Sequence, residues 1–357
     1  MSNYIEYNDK IAFHPGYYLK EIIDESGLTQ EDFAKRLGTT PKNLSILVRG
    51  DQSLSIDIAT KLSRMLGTTI AYWLNLQQAY DEKAAEFLSE EELKKEREVF
   101  KLIDYKYFRD NFGMPELSRK VDEQIKYVRE FLSVASLTVL EGRNLAVSFR
   151  SYTEELSRSN IVNANAMVQI AINRALKVET PKYNKKKFEK AVDYALTQTK
   201  NHDGFLTEVK KAFEKAGVVL VVLPNLKSSG INGATKKVDG KVMIMVNDRR
   251  HYADTFWFTL FHEIGHVLNG DLGITFKNEA EDDANLYAQR SLIPEDAYVE
   301  FKNRNKSFTE EDIRSFADTI DQDPGIVYGR LQIDGKIPYT ETYLSSRLRH
   351  KYKVVIA

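Results

Sequence analysis

The sequence has 357 residues, of which 42% are hydrophobic, and its 51 Lys and Arg nearly balance its 52 Asp and Glu, so the formal net charge is −1. That length predicts two or three domains, and the small net charge excludes a global electrostatic field that would attract nucleic acid or a membrane surface. The absence of cysteine excludes disulfides and thiolate metal sites, which leaves His and carboxylate side chains as metal ligands.

Two further patterns bear on location. Met1 is not followed by a signal-peptide pattern, and no apolar run reaches the length of about 18 residues that spans a bilayer. The missing cysteines also suit a reducing compartment. We therefore expect a cytoplasmic protein without a membrane segment.

The first 80 residues are predicted to form an all-helical domain of five short helices. Apolar residues recur at helical spacing. Thr29 precedes two acidic residues, and Thr40 precedes Pro41, and both patterns are typical of helix starts. We predict helices over residues 16–26, 29–37, 40–49, 55–66 and 69–80, with stop signals at Gly27, Gly38, Gly50 and Gly67.

The second and third of these helices have the layout of a DNA-reading helix-turn-helix. Leu44 and Leu47 would anchor the third helix, and polar side chains suited to base edges and phosphates would face outward. A bundle without a ligand is the alternative. Residues 1–80 hold eight Lys and Arg against nine Asp and Glu, so we expect a homodimer to supply affinity for an operator in double-stranded DNA. The candidate DNA-binding residues are Gln30, Thr40, Lys42, Asn43, Ser45 and Arg49.

Residues 81–204 are predicted to be a helical middle region. Residues 81–110 are dense in Lys and Glu, as expected of a solvated helix supported by pairs of opposite charge. Residues 115–215 are helix-rich, with breaks near Gly142, Pro181 and Gly204. No pattern assigns a function to this region.

The pattern changes near residue 217 and predicts a domain over residues 205–357 with a small sheet. Residues 218–223 form a β-branched run, and a hairpin turn at Asp239-Gly240 joins a weaker strand at 230–235 to a strand at 241–247. Helices are expected near 279–292, 309–320 and 324–333. The whole chain is therefore predicted to be α+β and predominantly helical.

The helix after this hairpin carries the most specific motif, His262-Glu263-Ile264-Gly265-His266. Histidines four residues apart share one face of a helix, so both imidazoles can bind one Zn²⁺ while Glu263 reaches a water on that ion. The alternative is a solvated face that holds these side chains by chance. The flanking residues are apolar nearly all round, which predicts burial, and unpaired buried His and Glu side chains are costly.

Residues 14–80 contain several segments that together match one known family. They are His14-Pro15-Gly16, the segment from Gly27 to Gly38, Asn43-Leu44-Ser45, Arg49-Gly50, and Leu66-Gly67-Thr68-Thr69 before Trp73-Leu74. Through these segments the region resembles the XRE-type helix-turn-helix of HigA-like antitoxins. That resemblance implies a dimer that represses its own promoter and, in many members, neutralises a partner toxin.

The segments from Phe258 to His266, from Glu281 to Ala288, and Ser291-Leu292-Ile293-Pro294 carry a second match. Through them, residues 205–335 resemble the ImmA/IrrE-like zinc metallopeptidases, whose characterised members cleave DNA-binding repressors. The resemblance implies a zincin-like fold and makes Glu281, four residues ahead of Asn285, the third protein ligand. Glu279 is a less favoured substitute. Asp283 and Tyr287 depart mildly from the family, where Glu and Phe are frequent.

This ligand set predicts a catalytic site. Three protein ligands, His262, His266 and Glu281, leave a fourth position open on zinc. Glu263 would be the general base. His251 and Tyr287 are candidate oxyanion donors by chain proximity alone, and Asp282 and Asp283 are the carboxylates nearest in sequence that could orient the imidazoles.

Three hypotheses follow. The leading one is an antitoxin-type transcriptional regulator fused to a zinc peptidase that cleaves a repressor or another protein. The second is a non-catalytic repressor or antitoxin whose zincin-like domain serves as a sensor or toxin-binding scaffold. The third is a peptidase with an unrelated target, for which the N-terminal domain provides docking.

Overall fold

A computed structural model describes residues 3–142, 157–272, 278–352 and 354, apart from the side chains of residues 278 and 279. These described residues form sixteen α-helices and five β-strands, which confirms the predicted α+β, predominantly helical class. The chain divides into two compact units, Met1–Lys95 and Glu96–Ala357. The division into domains at residues 1–80, 81–204 and 205–357 stays a prediction.

A two-stranded hairpin opens the first unit and corrects the prediction that residues 1–80 are all helical. Strand β1 (Tyr4–Tyr7) pairs antiparallel with β2 (Lys10–Phe13). Asn8 and Asp9 make the turn with φ angles of 50° and 61°. Two left-handed residues are what a two-residue hairpin turn needs, and Asn and Asp tolerate that conformation best among residues with a side chain.

Five helices follow the hairpin. Thr29 and Thr40 cap the second and third, since each hydroxyl oxygen accepts a backbone hydrogen bond of 3.1 Å, from Asp32 and Asn43 respectively. Their apolar faces meet in a core that includes Leu19, Phe33, Leu44, Leu62 and Trp73. The helices are α1 (Pro15–Ser26), α2 (Gln30–Leu37), α3 (Pro41–Val48), α4 (Ile56–Leu66) and α5 (Ile70–Phe100).

Helix α5 is longer than predicted. It does not end near Tyr80 but continues through the charged stretch, so the fifth predicted helix and the start of the middle region form one element. Residues 70–100 contain neither Gly nor Pro, and side-chain pairs one turn apart, such as Lys83 with Glu86, support the helix.

The second unit adds eleven helices and a three-stranded sheet in the described residues. No helix described is both long and apolar enough to cross a membrane. The helices are α6 (Tyr105–Phe112), α7 (Val121–Leu132), α8 (Arg158–Leu176), α9 (Lys185–Leu196), α10 (Phe205–Glu214), α11 (Ala253–Asn269), α12 (Asn278–Leu292), α13 (Glu295–Arg304), α14 (Glu310–Thr319), α15 (Pro324–Ile333) and α16 (Tyr343–Leu348), with a short 3₁₀ turn at Leu137–Glu141.

The sheet has the strand order β3-β5-β4. Strand β5 (Lys241–Asn247) is central and fully buried; it pairs parallel with β3 (Val218–Leu223) and antiparallel with β4 (Gly233–Val238). Asp239 and Gly240, at φ 48° and 76°, make the predicted hairpin turn. Strand β4 therefore lies at an edge of this sheet.

Helices cover both faces of the sheet. Leu220 of β3 and Ile244 of β5 share one apolar core with Trp257 and Leu260 of α11. Helix α8 packs on all three strands but contributes no residue to that core, so it covers the other face. The sheet is therefore the middle layer between α8 and α11.

Helices α11 and α12 approach each other closely at Gly265. A Cβ atom on Gly265 would lie 3.1 Å from the Cα atom of Ala284 and 3.3 Å from the Cβ atom of Tyr287. Small residues at this crossing let the two helix backbones come together, and so bring Glu281 of α12 beside the histidines of α11.

A C-terminal segment, residues 349–352, runs along the start of α11. Ala253 N–H donates to the carbonyl oxygen of His350 at 2.9 Å. The Arg349 guanidinium forms an ion pair of 2.8 Å with Asp254, and the two side chains are 11% and 3% exposed. Burial raises the pKa of the Asp254 carboxyl, and Arg349 opposes that rise.

Candidate metal centre

Helix α11 is largely buried and carries the side chains of His262, Glu263 and His266. Apolar residues on most of its circumference bury it, and it ends at Gly270, whose φ of 84° is the left-handed conformation of a helix stop. Glu263 and His266 are only 6% and 3% exposed, and the His262 side chain is 18% exposed. The predicted burial of this helix is therefore found.

The structure brings His262, His266 and Glu281 together. The Nε2 atoms of the two histidines are 3.1 Å apart, and each lies 3.4 Å from an oxygen of Glu281. Ligands bound tetrahedrally at about 2.1 Å from zinc are separated by about 3.4 Å. The three donor atoms thus have the chemistry and the spacing of a shared metal site, and this cluster could hold one ion.

Electrostatics within the cluster favour an ionised Glu281. Burial acts to raise the pKa of its carboxyl, but hydrogen bonds and charge from His262 and His266 outweigh burial and lower that pKa to about 2. For His266, burial acts to lower the pKa, and the neighbouring carboxylates outweigh it, so the net shift is upward. Glu281 is therefore anionic throughout the physiological range, which is the form of a carboxyl that can bind a metal.

Glu263 differs from Glu281 in its surroundings. Burial raises the pKa of the Glu263 carboxyl to about 7, against the lowering effect of His262 and His266. A carboxyl with a pKa near neutrality can both accept and release a proton at working pH, which is what general acid–base chemistry requires.

Asn285 contacts the site although the sequence motif did not single it out. Its Oδ1 lies 3.0 Å from Nδ1 of His262, so it can accept the Nδ1 proton and leave the Nε2 lone pair for a metal. On the other histidine, Asp271 Oδ2 lies 3.8 Å from Nδ1 of His266. Asn285 follows Glu281 by four residues on α12, and this helical spacing is the signal that could have identified it.

The sequence also suggested roles for three other carboxylates, those of Asp282, Asp283 and Glu279. Asp282 and Asp283, the candidates for orienting the imidazoles, are both exposed. The side chain of Glu279, the substitute ligand, lies outside the described residues. Asn285, rather than Asp282 or Asp283, is placed to orient an imidazole of the cluster, that of His262.

Neither candidate oxyanion donor has a described contact with the cluster. His251 is exposed, with Nδ1 3.6 Å from Asp248 Oδ2. Tyr287 packs beside Gly265, and burial raises the pKa of its hydroxyl. Their role in stabilising an oxyanion stays a prediction.

Gly233, at the start of β4, makes room for Glu263. A Cβ atom on Gly233 would lie 2.5 Å from Oε1 of Glu263 and 2.7 Å from its Cγ. Since β4 is bonded on one side only in the described sheet, an unpaired strand edge begins beside the Glu263 carboxylate.

In the first unit, most candidate DNA-binding side chains already have partners within the protein. Thr40 caps α3. Arg49 follows α3 and donates to Asp51 at 2.8 Å and to Ser45 at 2.7 Å. Asn43 hydrogen-bonds Thr39 and Gln52.

The two remaining candidates are Lys42 and Gln30. Lys42 is exposed near the start of α3, and Gln30 is half-buried at the first residue of α2. All six candidates thus lie on α2, on α3 or directly beside them, and their contacts with DNA stay predictions.

Two family models match this chain. Residues 19–73 match a helix-turn-helix family. Residues 213–322 match a peptidase family whose model is described as an IrrE N-terminal-like domain. The second match includes the whole His262, His266 and Glu281 cluster.

Curated relatives match over 61 to 80 residues. The chain is 38% identical over 80 residues to virulence-associated protein I of Dichelobacter nodosus, covering 22% of this chain and 74% of the relative. It is 35% identical over 79 residues to the HTH-type transcriptional regulator YddM of Escherichia coli, covering 22% and 84%. It is 34% identical over 61 residues to antitoxin HigA-1 of Vibrio cholerae, covering 17% and 57%.

Proposed function

The chain belongs to the helix-turn-helix family of DNA-binding regulators and carries an IrrE N-terminal-like domain, and from this premise we propose that it is an antitoxin-type regulator with a zinc-dependent peptidase. The single observation that supports the peptidase is the convergence of His262, His266 and Glu281 in one cluster that could hold an ion, where the helix of both histidines also carries Glu263. The proposed substrate is a protein, with a DNA-binding repressor as the leading candidate.

Each residue of the cluster has a distinct part in this proposal. When bound, zinc would polarise the scissile carbonyl and make water a stronger nucleophile. His262 and His266 would hold the ion, and Glu281 would add a negative charge. Glu263 accepts the proton of the attacking water and passes it to the leaving amine.

The edge of β4 supports a polypeptide as the substrate. An extended chain can add to an unpaired strand edge through backbone hydrogen bonds, with little dependence on its sequence. Because Gly233 begins this edge next to Glu263, a segment paired with β4 would place a peptide bond near the proposed base.

The regulatory part of the proposal rests on the N-terminal unit. We propose that a homodimer binds an operator through α3 and the residues Gln30, Thr40, Lys42, Asn43, Ser45 and Arg49. Similarity to antitoxin HigA-1 supports a partner toxin.

A comparison of wild type with Glu263→Gln tests the peptidase. Cells that express either form would be analysed by enrichment of newly formed protein N-termini and mass spectrometry, after both purified proteins are shown to retain equal metal. We expect N-termini that require wild type and vanish with Glu263→Gln. Identical sets of N-termini would overturn the peptidase.

One observation favours a non-catalytic alternative. Glu263 keeps only 6% of its surface exposed, which restricts the access of a substrate to it, and a zincin-like domain of that kind could act as a sensor or a toxin-binding scaffold. In that case Glu263→Gln leaves operator repression and toxin neutralisation unchanged, and no cleaved protein is found.

A further inference from the structure

A chain of hydrogen bonds joins three polar side chains beside α3. Asn43 Nδ2 donates to Thr39 Oγ1 at 2.9 Å, and Gln52 Nε2 donates to Asn43 Oδ1 at 2.8 Å. All three residues are half-buried, so the contacts are partly shielded from water. Asn43 is therefore held at both ends of its carboxamide.

The loop that carries Gln52 is itself anchored. The buried imidazole of His14 accepts a hydrogen bond from Gly16 N–H at 3.0 Å. Burial lowers the pKa of this imidazole, and the nearby backbone of Gln52 opposes that shift. Two residues further on, Leu54 N–H donates to Gln77 Oε1 at 2.8 Å in a buried contact. The backbone that carries Gln52 is thus close to the buried His14 and is anchored two residues further on, at Leu54.

The count of donors and acceptors on Asn43 points to one base. A carboxamide has two N–H groups and two acceptor lone pairs. Thr39 takes one N–H and Gln52 takes one lone pair, which leaves one donor and one acceptor. Adenine offers the matching acceptor and donor, N7 and N6, in the major groove, whereas guanine offers two acceptors there.

We infer that Gln52, outside the two helices of the motif, determines specificity by holding the Asn43 carboxamide in the orientation that reads adenine. This inference rests on the proposed operator binding. Gln52 acts as a positioning residue, and Asn43 makes the base contact. Without Gln52, the carboxamide of Asn43 rotates more freely and the preference for adenine weakens.

The test is selection of binding sites by the full-length protein from a pool of random double-stranded DNA, followed by affinity measurements on the selected duplexes. Variants are Asn43→Ala, Gln52→Ala and the double variant. Gln78→Ala is the matched control, since Gln78 is an exposed glutamine of the same unit that hydrogen-bonds Glu82 at 2.9 Å. Thermal unfolding shows that each variant is folded.

We expect wild type to prefer adenine at one position of each half-site by roughly 5- to 150-fold. Asn43→Ala removes that preference, Gln52→Ala reduces it by roughly 2- to 12-fold, and the double variant behaves like Asn43→Ala. Gln78→Ala retains the wild-type preference.

Other outcomes distinguish a failure of the positioning role of Gln52 from a failure of the proposed operator binding. An unchanged preference in Gln52→Ala, or a further loss when Gln52→Ala is added to Asn43→Ala, overturns the positioning role. Selection of a sequence that does not depend on Asn43 overturns the inference but leaves operator binding intact. If wild type selects no sequence at all, the proposed operator binding itself is wrong.

Discussion

Gly233 of β4 lies so close to Glu263 of α11 that a methyl group on its Cα atom would sit 2.5 Å from the Glu263 Oε1 atom. The contact joins an edge strand to the proposed catalytic base. Because Glu263 is buried, its carboxylate has little space into which it could move.

Gly233→Ala is therefore expected to abolish peptidase activity while the metal is retained, because the methyl group displaces Glu263 but not the three ligands. Overpacking should also cost about 1–3 kcal/mol of stability. Metal content, thermal unfolding and cleavage are measured together. Gly204→Ala is the control, since the atoms nearest its added Cβ belong to the side chain of Asn201; a fully active Gly233→Ala would refute the steric argument.

Glu281→Gln is expected to reduce metal binding strongly, because it removes the anionic ligand that lies 3.4 Å from both imidazoles. Elemental analysis of protein purified without chelator measures this. Asp282→Asn, the same type of change at the exposed neighbouring residue, should retain the metal. Equal metal content in the two variants would place the third ligand elsewhere.

Asn285→Ala is expected to weaken metal affinity by about 10- to 100-fold, since His262 loses the partner of its Nδ1 proton. Competition with a chromogenic chelator gives the affinity. Asp283→Asn, at an exposed position on the same helix, serves as the control. If the two variants bind equally well, the contact of Asn285 does not orient His262.

Metal affinity is expected to fall as the pH is lowered. Protons compete for the imidazole nitrogens, and the net upward shift of the His266 pKa, in which carboxylate partners outweigh burial, moves this competition to higher pH than for a free histidine. Glu281, whose pKa is lowered to about 2, stays ionised and adds nothing to the dependence of the metal affinity on pH. Chelator competition between about pH 5 and 8 measures the effect; an affinity independent of pH would contradict imidazole ligation.

Arg349→Ala is expected to destabilise the second unit by about 3–5 kcal/mol, because Asp254 would be left as a buried, unpaired carboxylate. Denaturant unfolding measures the loss. Arg347→Ala is the matched control, since its ion pair with Glu310 involves an arginine that is 58% exposed, and such pairs contribute about 0–1 kcal/mol. Similar losses in both variants would show that burial of the Asp254 pair is not decisive.

Local patterns predicted much of the fold and of the site. The glycines that end α1, α2 and α4 have left-handed φ angles, and Thr29 and Thr40 cap their helices. The spacing of His262 and His266 placed both on one face of α11. These features depend on interactions between residues within one or two helical turns of each other. Residues that close together can be recognised in the sequence alone.

Features that depend on contacts between distant residues were not predicted. The fit of Gly233 against Glu263 joins residues on different elements, and nothing local to Gly233 indicates it. The same holds for Gln52, whose partner Asn43 lies across a loop. The hairpin of β1 and β2 was not predicted for a different reason: its turn uses Asn8 and Asp9 rather than a glycine.

The ion pair between Arg349 and Asp254 has a consequence for biosynthesis. Its two halves are 95 residues apart, so at about 5–20 residues per second the ribosome needs roughly 5–20 seconds to deliver the second half after the first. The helix-turn-helix unit is complete long before then. Nascent or prematurely terminated chains would therefore acquire the helix-turn-helix before the first turn of α11, the proposed metal-binding helix, is secured.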